Sequence, residues 1–217
     1  ASQSTSNFNV GIGLNSLFAN TGNDNTAIGA QSLKANTTGA SNVGVGKDCL
    51  FANTTGNNNV GVGYQALVTN TTGGSNVAVG FAAFGANTTG SNNTAIGAAA
   101  LDANTTASNN TALGQNALGA CTTGDSNVAV GMGAGMSFTT GNSLVAVGRD
   151  SAFNTTTGIG NTALGRSSLY SNQTGNFNVA IGRSSLQSNT NNNNVAAGFE
   201  SLKSNTSAAN NLSLIHI

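Results

Sequence analysis

The sequence predicts an all-β fold, a parallel β-solenoid of about twelve 17-residue coils. Three observations predict it. The five-residue phrase N-[VT]-[AG]-[IVL]-G begins at Asn9, Asn25, Asn42, Asn59, Asn76, Asn93, Asn110, Asn127, Asn161 and Asn178, with altered copies at Leu144 and Asn194. Its closing glycine stands in all of them, from Gly13 and Gly29 to Gly182 and Gly198. A second aliphatic column follows four residues after that glycine: Leu17, Leu33, Leu50, Leu67, Phe84, Leu101, Leu118, Leu169, Leu186 and Leu202. The step is 17 residues, shortened to 16 between Asn9 and Asn25 and between Asn178 and Asn194.

Each coil reads in order as a strand, a turn, a second apolar stretch and a polar return. In the strand, Val77 and Val79 point to one face and Ala78 to the other. The aliphatic columns are expected to bury against their own copies in the coils above and below. Gly135 and Ala152 interrupt the Leu column, and Met136 and Phe153, one place later, are expected to fill the space. The coil then closes with Asn-Thr-Thr-Gly, as at Asn36–Gly39 and Asn53–Gly56, where glycine is expected to supply a positive φ. At a rung spacing of ~4.8 Å the array is a rod about 55–60 Å long, with Asn and Thr ladders along it.

A helical-pair solenoid needs longer units and better helix formers than Gly, Asn and Thr. One array spans residues 1–212, and 213–217 form an off-repeat tail: Ile215 stands where glycine is due, and His216 and Ile217 have no counterpart. The chain is expected to be a piece of a longer array. The third strand position is small throughout (Gly11, Ala27, Gly44, Gly61, Ala78), so a strip of Ala and Gly is expected outside the core. Such a strip fits the backbone of another copy, and a threefold bundle would use it.

Composition narrows the function. Only 6% of residues are charged, Lys+Arg 6 balances Asp+Glu 6, and Trp and Pro are absent. A neutral chain has no footprint for nucleic acid or an anionic membrane. No apolar run reaches the ~20 residues of a membrane helix. Cys49 and Cys121 fall in different columns about four coils apart, ~20 Å, too far for a disulfide. Buried or corner thiols are expected.

Asn59-Val60-Gly61-Val62-Gly63-Tyr64-Gln65-Ala66-Leu67 followed by Asn70-Thr71-Thr72-Gly73 resembles the A-x-A-I-G-x-x-A head repeats of YadA-like trimeric autotransporter adhesins. It resembles still more the N-T-A-I-G-x-x-A-L-x-x-N-T-T-G arrays of bacterial surface proteins and phage tail fibres that end in an intramolecular chaperone domain. The likeness covers nearly the whole chain. It implies a left-handed parallel β-roll, a homotrimer, and an adhesive or spacer role outside the cell. The 17-residue unit is longer than the typical adhesin head repeat, and no coiled-coil stalk, membrane anchor or chaperone domain is expected within these 217 residues.

No enzymatic site or cofactor is expected. The lone histidine, His216, lies in the tail. Asp48, Asp150 and Glu200 share a column, but at ~29 and ~14 Å they are too far apart for paired acid–base work. Gly44-Val45-Gly46-Lys47 lacks the first glycine and the final Ser or Thr of a phosphate loop. Arg149, Arg166 and Arg183 stack in one column and are candidates for contact with an anionic glycan, with splayed, solvated side chains as the other reading. Asn36, Asn53, Asn70, Asn87 and Asn104 each open an N-x-T sequon, and Asn154, Asn172 and Asn205 lie in or near that column. Asn92 and Asn109 form a shorter set. Glycan attachment and pure turn-and-ladder chemistry are both open for them. The expected function is a structural or adhesive segment of an extracellular, cell-surface or virion fibre, whose partners are other copies and surface glycans. A glycan-coated filament built by end-to-end stacking, and an ice-binding solenoid, are the alternatives.

Overall fold

The computed structural model describes residues 8–214. Ile215, His216 and Ile217 lie outside them. Thirteen short strands, from β1 (Val10–Ile12) to β13 (Leu212–Ser213), form one parallel sheet in sequence order. The register is the repeat itself: Val60, Gly61 and Val62 of β4 (Val60–Val62) pair with Val77, Ala78 and Val79 of β5 (Val77–Val79). The other walls are bonded the same way. The Leu33 N–H donates to the Cys49 carbonyl at 3.0 Å and the Thr54 N–H to the Thr71 carbonyl at 2.9 Å. About twelve stacked coils result, an all-β solenoid. Ser213, placed in the tail by the repeat count, belongs to the array, for it pairs with Ala196 of β12 (Val195–Ala197).

The core faces opposite to the sequence expectation. Ala27, Ala78, Ala95, Ala112 and Ala129, at the third strand position, are fully buried, while Ile28, Val62, Ile96 and Ile181 are 37–42% exposed. The Leu column of the opposite wall is the cause. Leu33, Leu50, Leu67, Leu101 and Leu118 all project inward and are fully buried. A coil this narrow cannot hold a Leu and two β-branched side chains from the facing strand, so only a methyl or a hydrogen fits beneath the Leu. A Cβ on Gly44 would stand 3.6 Å from Leu33 Cδ1 and only 2.6 Å from Ser32 Oγ. On Gly61 it would stand 2.5 Å from Cys49 Sγ. Ser32 and Cys49 thus face glycine one coil on, whereas Ser151, Ser168 and Ser185, whose hydroxyls turn back to the Gly148, Gly165 and Gly182 carbonyls, are followed by Ala163, Ala180 and Ala196. The small strip is core, not a docking face for another chain.

Two further expectations change. The space beside Gly135 is reached by Leu144, which stands in place of a phrase-opening Asn, and Phe138, in place of a second-column Asn, is also fully buried, its ring against Gly141. A Cβ on Gly135 would stand 3.1 Å from both Leu118 Cδ2 and Leu144 Cδ2. Met136 and Phe153 stay half-buried at the surface, where Phe153 stacks on Tyr170 with ring centroids 5.3 Å apart. The Asn-Thr-Thr-Gly glycine does not need a positive φ. At Gly39 a Cβ would stand 2.5 Å from the Gly56 carbonyl oxygen, while other coils hold Ala107 and Asn191 in this column. Left-handed backbone falls elsewhere, at the Leu column (Leu67, φ 54) and at the residue before each phrase (Ser75, φ 57).

Candidate functional site: the ladders and the outer faces

Four polar ladders run along the solenoid, the first interrupted at Leu144 and the second between Asn104 and Asn172. The phrase-opening Asn is buried, and its carbonyl oxygen accepts the next coil's backbone N–H, as Asn42 Oδ1 does from Asn59 at 2.9 Å. Its amide reaches the carbonyl of the glycine that closes its own coil, Asn59 Nδ2 to Gly73 at 2.8 Å. The second Asn column is the sequon column. Asn70 Nδ2 donates to Asn53 Oδ1 at 2.8 Å and to Gly73 O at 3.0 Å, and Asn87 Nδ2 donates back to Asn70 Oδ1 at 2.7 Å. Each Thr after it donates its hydroxyl to the Thr carbonyl one coil on, as Thr54 to Thr71 at 3.0 Å. Just before the left-handed corner, Asn57, Asp125, Asn142, Asn176 and Asn192 accept the backbone N–H of the preceding coil, for example Asn142 Oδ1 from Asp125 at 2.7 Å. This fourth ladder escaped sequence reasoning. Its signal is the excess of Asn, Asp and Ser in that column.

Burial decides what the sequons can do. Asn36, Asn53, Asn70, Asn87, Asn104 and Asn172 have no exposed surface. A sugar on Nδ2 would drive a bulky group through the coil wall and, at all but Asn104, displace a bonded proton, so the folded array offers no attachment point at these six. Asn154 and Asn205 are half-exposed, and Asn92 and Asn109 are exposed at the corner. The outer Thr of each Asn-Thr-Thr-Gly turn is exposed in nine successive coils, from Thr38 to Thr174. The inner Thr hydroxyls are tied to carbonyls, as at Thr37, Thr54 and Thr71.

Charged groups are few and local. Asp48 lies 4.0 Å from Lys47, Asp150 3.1 Å from Arg149, and Glu200 2.7 Å from Lys203. The Asp48, Asp150 and Glu200 carboxylates stay apart, each beside its own cation. Asp102 lies in a surface notch with Asn116, Gly119, Ala120, Met136 and Ser137, where partial burial lifts its carboxyl above the ordinary value. Among the described residues, no three His, Cys, Asp or Glu side chains gather to hold a metal ion. No helix among them is long and apolar enough to cross a membrane.

Both cysteines are free and buried. Burial pushes the Cys49 thiol from 9.0 up to about 12 and Cys121 to about 11. The thiols therefore stay protonated and shielded in the folded chain. A thiol-reactive probe at pH 8 is expected to leave both unlabelled until denaturant is added; rapid labelling of the native chain would contradict the buried placement. The linked stability is whole below pH 9.0, where the unfolded thiol is still protonated, and falls as pH rises toward about 12.

The outer face of the sheet is its main exposed apolar feature. Two columns, Val/Thr at the second strand position and Ile/Val/Leu at the fourth, run side by side through the sheet. Beyond the corner glycine a third column holds Leu14, Lys47, Tyr64, Phe81, Met132, Arg149, Arg166, Arg183 and Phe199. Tyr64 and Phe81 stack at 5.7 Å, Lys47 lies over Tyr64 at 5.7 Å, and Arg183 over Phe199 at 5.8 Å. Comparison with known proteins finds no match among family models, curated proteins or solved structures.

Proposed function

We propose that this chain is a structural segment of an extracellular, cell-surface or virion fibre, and that copies associate laterally, as a homotrimer, through the outer face of the sheet. The exposed aliphatic ladder carries this reading. Its two strand columns leave on the order of 1,000 Å² of mostly apolar surface in one strip, more than the few hundred Å² a monomer ordinarily leaves. That is also about the area each partner contributes to a stable interface, roughly 800 Å². The strip repeats in register from coil to coil, so a second copy can lie along it coil against coil. The resemblance to trimeric adhesin and tail-fibre repeats supports the same reading. The contact moves, however, from the Ala/Gly strip to the Val/Ile columns.

Light scattering on the purified chain at micromolar concentration tests it. A mass three times 21.2 kDa is expected. Val62→Lys combined with Val79→Lys and Ile96→Lys should reduce that to one chain while the fold is kept, since all three side chains point outward. A monomeric mass for the unaltered chain overturns the proposal.

A further inference from the structure

We infer that Arg149, Arg166 and Arg183 form a linear rail for a carboxylate-bearing polysaccharide lying parallel to the solenoid axis, one acid group per coil. This deepens the fibre reading, on which it rests only for its setting outside the cell. These are all three arginines of the chain and half of its cations, gathered into three consecutive coils of a sequence that is 6% charged. Their backbone is pinned in register. Leu164 pairs with Val147 and with Ile181, and the Arg149 and Arg166 carbonyls accept the Ser167 and Ser184 N–H groups at 3.0 and 2.9 Å. The side chains therefore root one rung apart, ~4.8 Å.

All three side chains are exposed. Asp150 pairs with Arg149, but the matching places beside Arg166 and Arg183 hold Ser167 and Ser184. Among the described residues neither Arg166 nor Arg183 forms an ion pair. Three like charges in single file gain from an anion that spans them. Arginine presents a planar fork that binds carboxylate at two points, which lysine cannot do.

Spacing selects the ligand class. An extended acidic peptide places same-side carboxylates two residues apart, ~6.6 Å, out of step with the rungs. Three cations fall short of the 6–10 phosphate contacts of a nucleic-acid site and of the 4–8 basic residues of an anionic-membrane patch. A polysaccharide of acidic sugars carries one carboxylate on each residue of a linear chain, so successive acid groups can meet long, exposed guanidinium side chains rooted one rung apart.

Fluorescence anisotropy with a labelled oligogalacturonate, on the intact chain at low salt, tests this. The unaltered chain is expected to bind. Arg166→Gln should weaken binding about tenfold or more, the loss of a charge-assisted pair. Lys47→Gln, which removes the same charge elsewhere, should leave affinity within about twofold. The methyl-esterified oligomer should not bind. Arg166 is exposed, so its variant keeps its fold, and a thermal melt verifies that. The rail is overturned by no binding to the acid oligomer, by equal loss in Arg166→Gln and Lys47→Gln, or by equal binding of the ester. A sulfated oligosaccharide that binds as well as the carboxylate overturns the carboxylate assignment. Mass measured on the same samples keeps the two proposals apart: a monomer that binds sinks only the lateral association.

Discussion

Gly97→Ala is expected to destabilise the solenoid by more than about 4 kcal/mol, the range reserved for a change the surroundings cannot absorb. Gly97 closes the phrase of a central coil at φ +136, an extended positive-φ conformation open essentially to glycine alone. A Cβ there would stand 2.6 Å from both the carbonyl carbon and oxygen of Gly114 in the next coil. Those atoms are backbone. They cannot swing aside without breaking the rung, because the Gly114 N–H itself donates to the Ile96 carbonyl at 2.7 Å. Gly85→Ala is the control. Gly85 has no positive φ, and its column holds Val68, Phe51 and Lys34 in other coils. It should cost less than about 1 kcal/mol. Denaturant melts of the two variants decide it, and similar midpoints would refute the close-approach account.

Asn70→Ala is expected to cost about 2–4 kcal/mol by the same measurement. The substitution removes both donors of a buried amide and the acceptor for the coil above. Asn53 Oδ1 then loses its donor, and Asn87 Nδ2 keeps only the Gly90 carbonyl. Buried polar groups left without partners cost more than the bond itself is worth. The native chain carries an internal control. Its buried, unpartnered side-chain atoms among the described residues are Asn104 Nδ2, Thr155 Oγ1 and Asn172 Oδ1. All three lie in this column, around the stretch where Cys121 and Phe138 replace Asn. Asn154→Ala, one column away and half-exposed, should change stability by no more than about 0.5 kcal/mol. A loss of that size in Asn70→Ala would show that the ladder adds little.

Parts of the candidate surfaces could be read from the residues. The Arg column, its spacing and the separation of Asp48, Asp150 and Glu200 follow from counting in seventeens. The exposure of the sequons did not. Asn36 and Asn154 both open a sequon, and nothing within either motif says that one amide lies in a ladder while the other half faces solvent. Phe138 and Leu144 read as flaws in two Asn columns. Only in three dimensions do both prove to be core, Leu144 beside Gly135 and Phe138 against Gly141.

By itself the sequence determined the rung: its length, its parallel register, its strand and its stacked columns. Periodicity is a local property repeated, and identical units pair like with like. The tertiary structure alone decided which side of each rung is the inside. Val77, Ala78 and Val79 alternate equally well either way round. The choice fell to the Leu column seven or so residues further on, which folds back and occupies the space the strand faces. Volume inside a narrow coil is shared by residues from opposite walls, and that competition puts alanine in and valine out.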